Sequence, residues 1–181
     1  MLFFWCSLVL FTLYIIGLLM RFGVPASISE SSYLYGNSGN YIFWVWLTSV
    51  VGFMMVFWLD ITENQTYQFL VYLSCAALCF TAITGRYRGS DKMEWAVHTY
   101  GTVVCAICAQ LWMWITFKHV WIISIALFLV AIACGKILKG SKRDLKNHAI
   151  EKSGNSVVFF VELVLFIMAY VSIFCYYKTF R

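Results

Sequence analysis

Residues 156–177 read SVVFFVELVLFIMAYVSIFCYY, a stretch that is long and apolar enough to cross a lipid bilayer by itself. A hydrocarbon core of about 30 Å needs roughly 20 helical residues per crossing. Five further runs of similar length and composition precede this one. The predicted spans are residues 2–20, 41–59, 67–84, 95–117, 120–138 and 156–177. The sequence therefore predicts a chain that crosses a membrane six times.

The composition supports the same class of protein. Hydrophobic residues make up 62% of the chain and charged residues 12%, whereas soluble domains have about 45–50% apolar and about 25% charged residues. The runs lack the alternating pattern of membrane strands, so a helical bundle is preferred to a barrel. We predict an all-α, polytopic integral membrane bundle of six transmembrane helices, folded as one domain over residues 1–181. The first run has no cleavage pattern, so we expect it to be retained.

Lysine and arginine are distributed unevenly between the two ends of the predicted bundle. The loops after the first, third and fifth runs share one end, which we call the mouth, and they hold ten of the 13 basic residues. The other end, the termini face, holds Lys118, Lys178 and Arg181. Basic loops are retained on the cytoplasmic side of membranes. We therefore predict a cytoplasmic mouth and external termini, in a plasma or inner membrane.

Two larger loops at the mouth differ in composition. Residues 21–40 are rich in Ser, Gly, Asn and Tyr and contain Pro25, the only proline of the chain, which favours a turn or an extended backbone. This composition predicts a folded loop packed on the mouth. Residues 139–152 are strongly charged and predict a solvated connector, with a short helix at most.

Two ionisable residues lie inside the predicted spans at the mouth end. Glu162 is about six residues, or roughly 9 Å, into the last helix, and His98 is about three residues, or roughly 5 Å, into the fourth. Ionisable groups within a bilayer are costly unless they have partners or water. We therefore expect both side chains to face the bundle interior near one cavity.

The neighbours of His98 indicate how its helix is oriented. Glu94 lies four residues earlier on the same face, where a carboxylate could orient the imidazole for acid–base chemistry or simply form a structural contact. The face continues with small residues, which favour close packing of membrane helices. These residues are Gly101, Thr102, Cys105 and Ala109. The stripe predicts that His98 faces protein and not lipid.

The candidate site residues collect at the mouth. As catalytic candidates we take His98 as a base, with Asp91 or Glu162 orienting it. The ligand-binding candidates are polar residues of the mouth loops and of the start of the fourth helix: Ser27, Ser29, Glu30, Arg86, Arg88 and Glu94. Two interpretations stay open. These groups serve a site that binds or transforms a ligand, or His98 and Glu162 form packing contacts within the bundle.

Metal and redox chemistry have little support in the sequence. The three histidines cannot meet, because the second is predicted at the termini face, and a set of His98, Asp91 and Glu162 has no diagnostic spacing. Cys105 and Cys108 form a single C-x-x-C inside an apolar run, where cysteines behave as small hydrophobic residues. We predict no metal site and no cofactor.

Most of the tryptophans lie toward the ends of the runs, which is typical of residues that anchor a helix at the membrane interface. These residues are Trp44, Trp46, Trp58, Trp95, Trp112, Trp114 and Trp121. We interpret them as interfacial anchors.

Two short motifs resemble a known family. Residues 25–29, PASIS, followed by Ile42 and Phe43, resemble the first loop and second helix start of the Frag/DRAM/Sfk family of six-helix membrane proteins and their bacterial relatives of unknown function. Asp91 and His98 resemble an acidic residue and a histidine that such proteins carry at the start of the fourth helix. The resemblance implies a role in lipid remodelling, lipid homeostasis or autophagy, and hence a site for an amphiphile.

The leading hypothesis is that the mouth binds or remodels a lipid or another amphiphile. Acyl or headgroup transfer with His98 as the base is the reaction we would test first, although no motif establishes an enzyme. The alternative is a non-enzymatic membrane effector or channel that self-associates as a homo-oligomer, with Glu162 lining a conductive path. A transporter is disfavoured because no inverted repeat is visible. Membrane lipids are the expected partners, and nucleic acid is not.

Overall fold

The structure is a computed structural model that describes residues 1–84, 91–143, 150–152 and 155–180. The chain is helical over most of these ranges, with one small sheet. The elements are α1 (Leu2–Phe22), α2 (Ser31–Leu34), a 3-10 turn (Gly36–Ser38), α3 (Gly39–Ile61), α4 (Gln68–Ile83), α5 (Lys92–Thr116), α6 (Val120–Ile137), β1 (Ser141–Arg143), β2 (Ile150–Lys152) and α7 (Val157–Phe180). The predicted all-α class is confirmed.

Five helices, α1, α3, α5, α6 and α7, are long and apolar enough to cross a membrane. The third predicted span is shorter, because α4 has only 16 residues and measures about 24 Å at about 1.5 Å per residue. Its start is fixed by the turn from α3, where Gln65 N donates to Thr62 O at 3.1 Å and Gln68 Nε2 donates to Leu59 O at 3.0 Å. Tyr67, where the predicted span began, thus precedes the helix as its N-terminal cap.

The most extensive helix contact is between α4 and α5. Gly101 makes this approach close: a Cβ built there would lie 2.7 Å from Thr81 Oγ1 and 3.0 Å from Ala77 O. The predicted small-residue stripe therefore does pack against a neighbouring helix, as membrane helices do when they carry small side chains.

Helix α7 contacts α1, α3, α5 and α6, and so holds the bundle together. It packs most closely on α6, where a Cβ on Gly135 would lie 2.4 Å from Val157 Cα. On its other side, the hydroxyls of Tyr170 and Ser7 are 2.6 Å apart, and Ser7 Oγ also donates to Val50 O at 2.8 Å. Two hydrogen bonds of Ser7 thus join α1, α3 and α7 within an apolar core.

Three tryptophans are core residues, so their interpretation as interfacial anchors is wrong. Trp46, Trp58 and Trp112 are 7%, 1% and 0% exposed. The rings of Trp58 and Trp112 meet edge to face at 5.1 Å, an arrangement that suits aromatic pairs. The prediction rested only on their position near the end of a run. That position does not show which side of the helix faces the protein interior. Their indole N–H groups therefore need partners inside the protein.

At the mouth, the loop between α1 and α3 is fastened to β1 and α7. Ala26 N donates to Ser141 O at 3.0 Å, Ser141 N donates to Val24 O at 2.7 Å, and Phe159 N donates to Ala26 O at 3.2 Å. Four serines of the loop, Ser27, Ser29, Ser31 and Ser32, are buried. The prediction of a folded loop packed on the mouth is confirmed.

The charged connector after α6 contains two short strands. The sequence predicted a solvated connector with a short helix at most. β1 pairs antiparallel with β2, with Ser141 opposite Lys152 and Arg143 opposite Ile150. Ser141 also bridges to Pro25 in parallel register. The loop between α1 and α3 supplies the backbone partners that make an extended conformation favourable, and the sequence of the connector does not show those partners.

Candidate functional site

Glu162 lies about 7.5 Å along α7 from Val157, at about 1.5 Å per residue. Its Oε2 accepts a hydrogen bond from the backbone N–H of Ile28 at 2.5 Å. The carboxylate therefore satisfies a backbone donor of the mouth loop where that loop covers the end of the bundle. A buried N–H without a partner would cost free energy comparable to a lost hydrogen bond.

Ser27, Ser29 and Glu30 lie beside this contact and are all less than a tenth exposed. The hydroxyls of Ser27 and Ser29 are 3.0 Å apart, and Ser27 Oγ accepts from Glu30 N at 3.1 Å. Three of the predicted ligand-binding residues thus lie in the loop whose backbone Glu162 contacts at Ile28. Their polar atoms hold the loop in its turn, which is a common role of serine side chains.

A further chain of contacts ties the same loop to α1. Ser31 Oγ donates to Ile28 O at 2.6 Å and accepts from Tyr14 OH at 2.6 Å. The Tyr14 ring stacks on Trp46 of α3 with centroids 3.9 Å apart. Sequence reasoning did not identify Tyr14 or Ser31, because neither belongs to a local motif.

Asp91 begins α5 as its N-terminal cap. Its Oδ1 accepts from Glu94 N at 2.8 Å, which satisfies one of the helix's unpaired N–H groups. The Glu94 side chain is exposed. Both residues therefore belong to the start of α5, and Asp91 has a structural role there that its predicted catalytic role did not include.

His98 is 6% exposed and faces protein. Its imidazole makes hydrogen bonds with the backbone of Thr81 and Thr84 at the end of α4. The backbone oxygen of His98 accepts from Thr102 Oγ1 at 2.8 Å. The structure thus directs His98 to α4, while Glu162 is directed to the mouth loop. Arg86 and Arg88 lie outside the described residues.

A small cavity of about 60 Å³ lies between α3, α4, α5 and α7. Its polar lining residues are Trp58, Ser74, Thr102 and Glu162, and His98 does not line it. The cavity therefore contacts Glu162 on α7. On α5 it contacts Thr102, which lies one turn beyond His98. In the described ranges, no group of three or more His, Cys, Asp or Glu residues is arranged to hold a metal ion.

A larger groove of about 450 Å³ runs between α1 and α7. It extends from Phe4 to Ile16 on α1 and from Leu163 to Phe174 on α7. Several lining residues are exposed, so the groove opens on the outer surface of the bundle. It was not predicted, because apolar residues that line a groove and apolar residues that face lipid look alike in sequence.

Lys178 marks the end of this groove at the termini face. It is exposed, and its Nζ lies 5.8 Å from the ring centroid of Phe174, the last groove residue of α7. A cation at this distance from an aromatic ring is favourably placed. The groove therefore has an apolar wall, and the positive charge of Lys178 lies at its outer end.

No protein-family model matches the chain, and comparisons with curated proteins and with solved structures likewise find no match.

Proposed function

We propose that this chain is a six-helix integral membrane protein that binds an anionic phospholipid in the groove between α1 and α7. The observation that carries the proposal is the groove itself, about 450 Å³ of apolar space open on the outer surface. In a bilayer, such a surface faces the acyl chains of lipids. Trp5, Thr12 and Tyr170 contribute the polar atoms of the lining side chains, and the Tyr170 hydroxyl is already paired with Ser7.

The length of the groove fits one acyl chain of one leaflet. From Phe4 to Ile16 the groove follows α1 for about 18 Å, at about 1.5 Å per residue. A leaflet contributes about half of a hydrocarbon core of about 30 Å. Because Phe4 lies at the start of α1, the occupied leaflet is the one at the termini face.

The charge at the outer end favours an anionic headgroup. Lys178 lies one turn beyond Phe174, at the level where the headgroup of a lipid in the groove would lie. A basic side chain near an anionic membrane surface contributes about 1 kcal/mol of attraction. The polar groups of Ser27, Ser29 and Glu162 already make contacts within the mouth, so we propose binding at the groove and not at the mouth.

We also propose that the mouth is cytoplasmic and the termini external. The support is the excess of Lys and Arg in the mouth loops, which follows the positive-inside rule. The lipid would then belong to the outer leaflet of a plasma or inner membrane.

The test is photocrosslinking in nanodiscs with phosphatidylglycerol or phosphatidylcholine that carries a photoreactive acyl chain. Labelled peptides are identified by mass spectrometry. We expect labels between Phe4 and Ile16 on α1 and between Leu163 and Phe174 on α7. Their yield should be several-fold above that of labels on α6. Leu8→Trp should fill the groove and reduce labelling several-fold, whereas Leu13→Trp, at an exposed position of α1 outside the groove, should not.

The headgroup is tested with Lys178→Gln. This change should remove the preference for phosphatidylglycerol over phosphatidylcholine, and Lys118→Gln, at the same face but away from the groove, should preserve it. Labels spread evenly over all outward helices would contradict the proposal. A protein–protein crosslink through α1 and α7 would instead support the self-associating effector, with a second copy covering the groove.

A further inference from the structure

Helix α4 is shorter than the other long helices of the bundle. It has 16 residues, whereas each of the five helices that are long enough to cross a membrane has at least 18. At about 1.5 Å per residue, α4 measures about 24 Å, while the hydrocarbon core of a bilayer is about 30 Å thick. As one of the six proposed spans, α4 is therefore about 6 Å too short.

The shortfall of α4 is measured against its neighbour α5. Ser74 Oγ donates to Cys105 O at 3.1 Å, so the two helices are level at these residues. From this level, α4 runs six residues to its start at Gln68, whereas α5 runs 11 residues to its end at Thr116. The difference at the termini face is about 7.5 Å. Toward the mouth, α4 runs nine residues and α5 runs 13, so α4 is recessed at both ends.

Neighbouring helices hold the two ends of α4 at these levels. At its start, Gln68 Nε2 donates to Leu59 O of α3 at 3.0 Å. At its end, the imidazole of His98 makes hydrogen bonds with the backbone of Thr81 and Thr84. These contacts prevent α4 from sliding along α5 toward either surface of the membrane. The difference in length must therefore be met by the surrounding lipid.

The outward side chains near the start of α4 suit a membrane interface that lies deeper than usual. Tyr67, Phe69 and Tyr72 are 45%, 56% and 50% exposed. Tyrosine favours the level of the lipid headgroups, because its ring is apolar and its hydroxyl is polar. Tyr72 lies four residues into the helix, about 6 Å below its start. Residues 62–84 contain no lysine or arginine, whose long side chains could reach a more distant surface.

We propose that the bilayer is thinned beside α4 in the leaflet at the termini face, so that this surface fits phospholipids with short or unsaturated acyl chains. A hydrophobic segment shorter than the bilayer is accommodated by local thinning at a modest cost. The proposal rests on the proposed crossing of the membrane by α4. It does not depend on lipid binding in the groove, which is lined by α1 and α7 alone.

The experiment compares the membrane depth of two outward positions that lie at one level of the bundle. By the register given above, Tyr72 is level with Ile107 of α5. Trp114 Nε1 of α5 donates to Ser124 Oγ of α6 at 3.2 Å, and counting from this contact places Val130 of α6 within about 2 Å of the same level. Val130 is 58% exposed and belongs to a helix of 18 residues, so it is the matched control.

A trifluoromethyl-phenylalanine probe replaces Tyr72 or Val130 in the full chain, which is reconstituted in nanodiscs. Fluorine NMR relaxation is measured with a water-soluble nickel chelate and with oxygen, which concentrates in the bilayer core. In dioleoyl phosphatidylcholine, we expect the nickel effect at Tyr72 to be several-fold above that at Val130. The difference should shrink in dimyristoleoyl phosphatidylcholine, because its thinner bilayer reduces the mismatch, and grow in dierucoyl phosphatidylcholine.

Equal nickel effects at the two positions in dioleoyl phosphatidylcholine would overturn the proposal. A difference that does not change with acyl-chain length would also overturn it, because it would indicate a water-filled crevice beside α4. Weak effects of both nickel and oxygen at Tyr72 would show that protein covers this face. A strong nickel effect at both positions would instead contradict the proposed membrane insertion itself. If the probe at Tyr72 prevents folding, Phe69 is compared with Leu129, an exposed residue of α6 at about the same level.

Discussion

The carboxylate of Glu162 accepts a hydrogen bond from the backbone N–H of Ile28 at 2.5 Å, across 134 positions of sequence. This contact fastens the loop between α1 and α3 to α7 beneath the mouth. The same side chain borders the interior cavity. The residue that is most conspicuous in the sequence therefore has a structural role, whatever further role it serves.

Glu162→Ala should destabilise the protein by about 1–2 kcal/mol, the size of a hydrogen bond to a charged group reduced by the modest values seen in membranes. Glu162→Gln should retain most of this stability, because its amide oxygen can still accept from Ile28 N. Unfolding of both variants in one detergent measures the difference. Equal losses for Gln and Ala would show that the charge matters and not the acceptor.

Gly135→Ala should destabilise by about 1–3 kcal/mol, the usual cost of overpacking, because the new Cβ would lie 2.4 Å from Val157 Cα. Gly52→Ala is the matched control in α3, where a Cβ meets nothing within 4 Å. It should be neutral or stabilising by up to about 1 kcal/mol from helix propensity. The prediction fails if the two variants have the same midpoint of unfolding.

Asp91→Ala should destabilise the start of α5 by about 1 kcal/mol, because the N-terminal cap is lost. Asp91→Asn should be close to wild type, since asparagine caps as well as aspartate. Amide hydrogen exchange of the first turn of α5 reports the change. If Asp91→Asn abolished lipid labelling with the cap intact, a role for the carboxylate beyond capping would follow.

An epitope tag after Arg181 should be accessible from outside intact cells, and a cysteine introduced in the connector at Lys142 should be labelled only after permeabilisation. Both results follow from the proposed orientation. Cys175 is exposed near the C-terminal end of α7, so labelling is compared in a Cys175→Ala background. A tag that is protected in intact cells would reverse the proposed orientation and place the groove between α1 and α7 in the cytoplasmic leaflet.

Part of the candidate site followed from sequence alone. Glu162 and the loop of Ser27, Ser29 and Glu30 were expected at one mouth, since two helices that start on the same face bring their first turns together. The cap at Asp91 also has a local signature, an acidic residue with glutamate three positions later. The direction of His98 toward Thr81 and Thr84 was not foreseen, because it depends on how α5 is rotated against α4.

The sequence by itself determined that the chain is helical and membrane-compatible, because the length and hydropathy of each run are local properties of about 20 residues. It also determined that residues 21–40 fold onto the mouth, through their turn-forming composition. Only the tertiary structure decided that Ile28 meets Glu162, that Trp58 and Trp112 are core residues, and that α1 and α7 leave a groove between them. Helices that are apolar all round give no sequence signal for which face meets a neighbour and which meets lipid. Those features depend on which helices pack together. The packing in turn depends on positions such as Gly101 and Gly135, where the missing side chain lets a neighbouring helix approach closely.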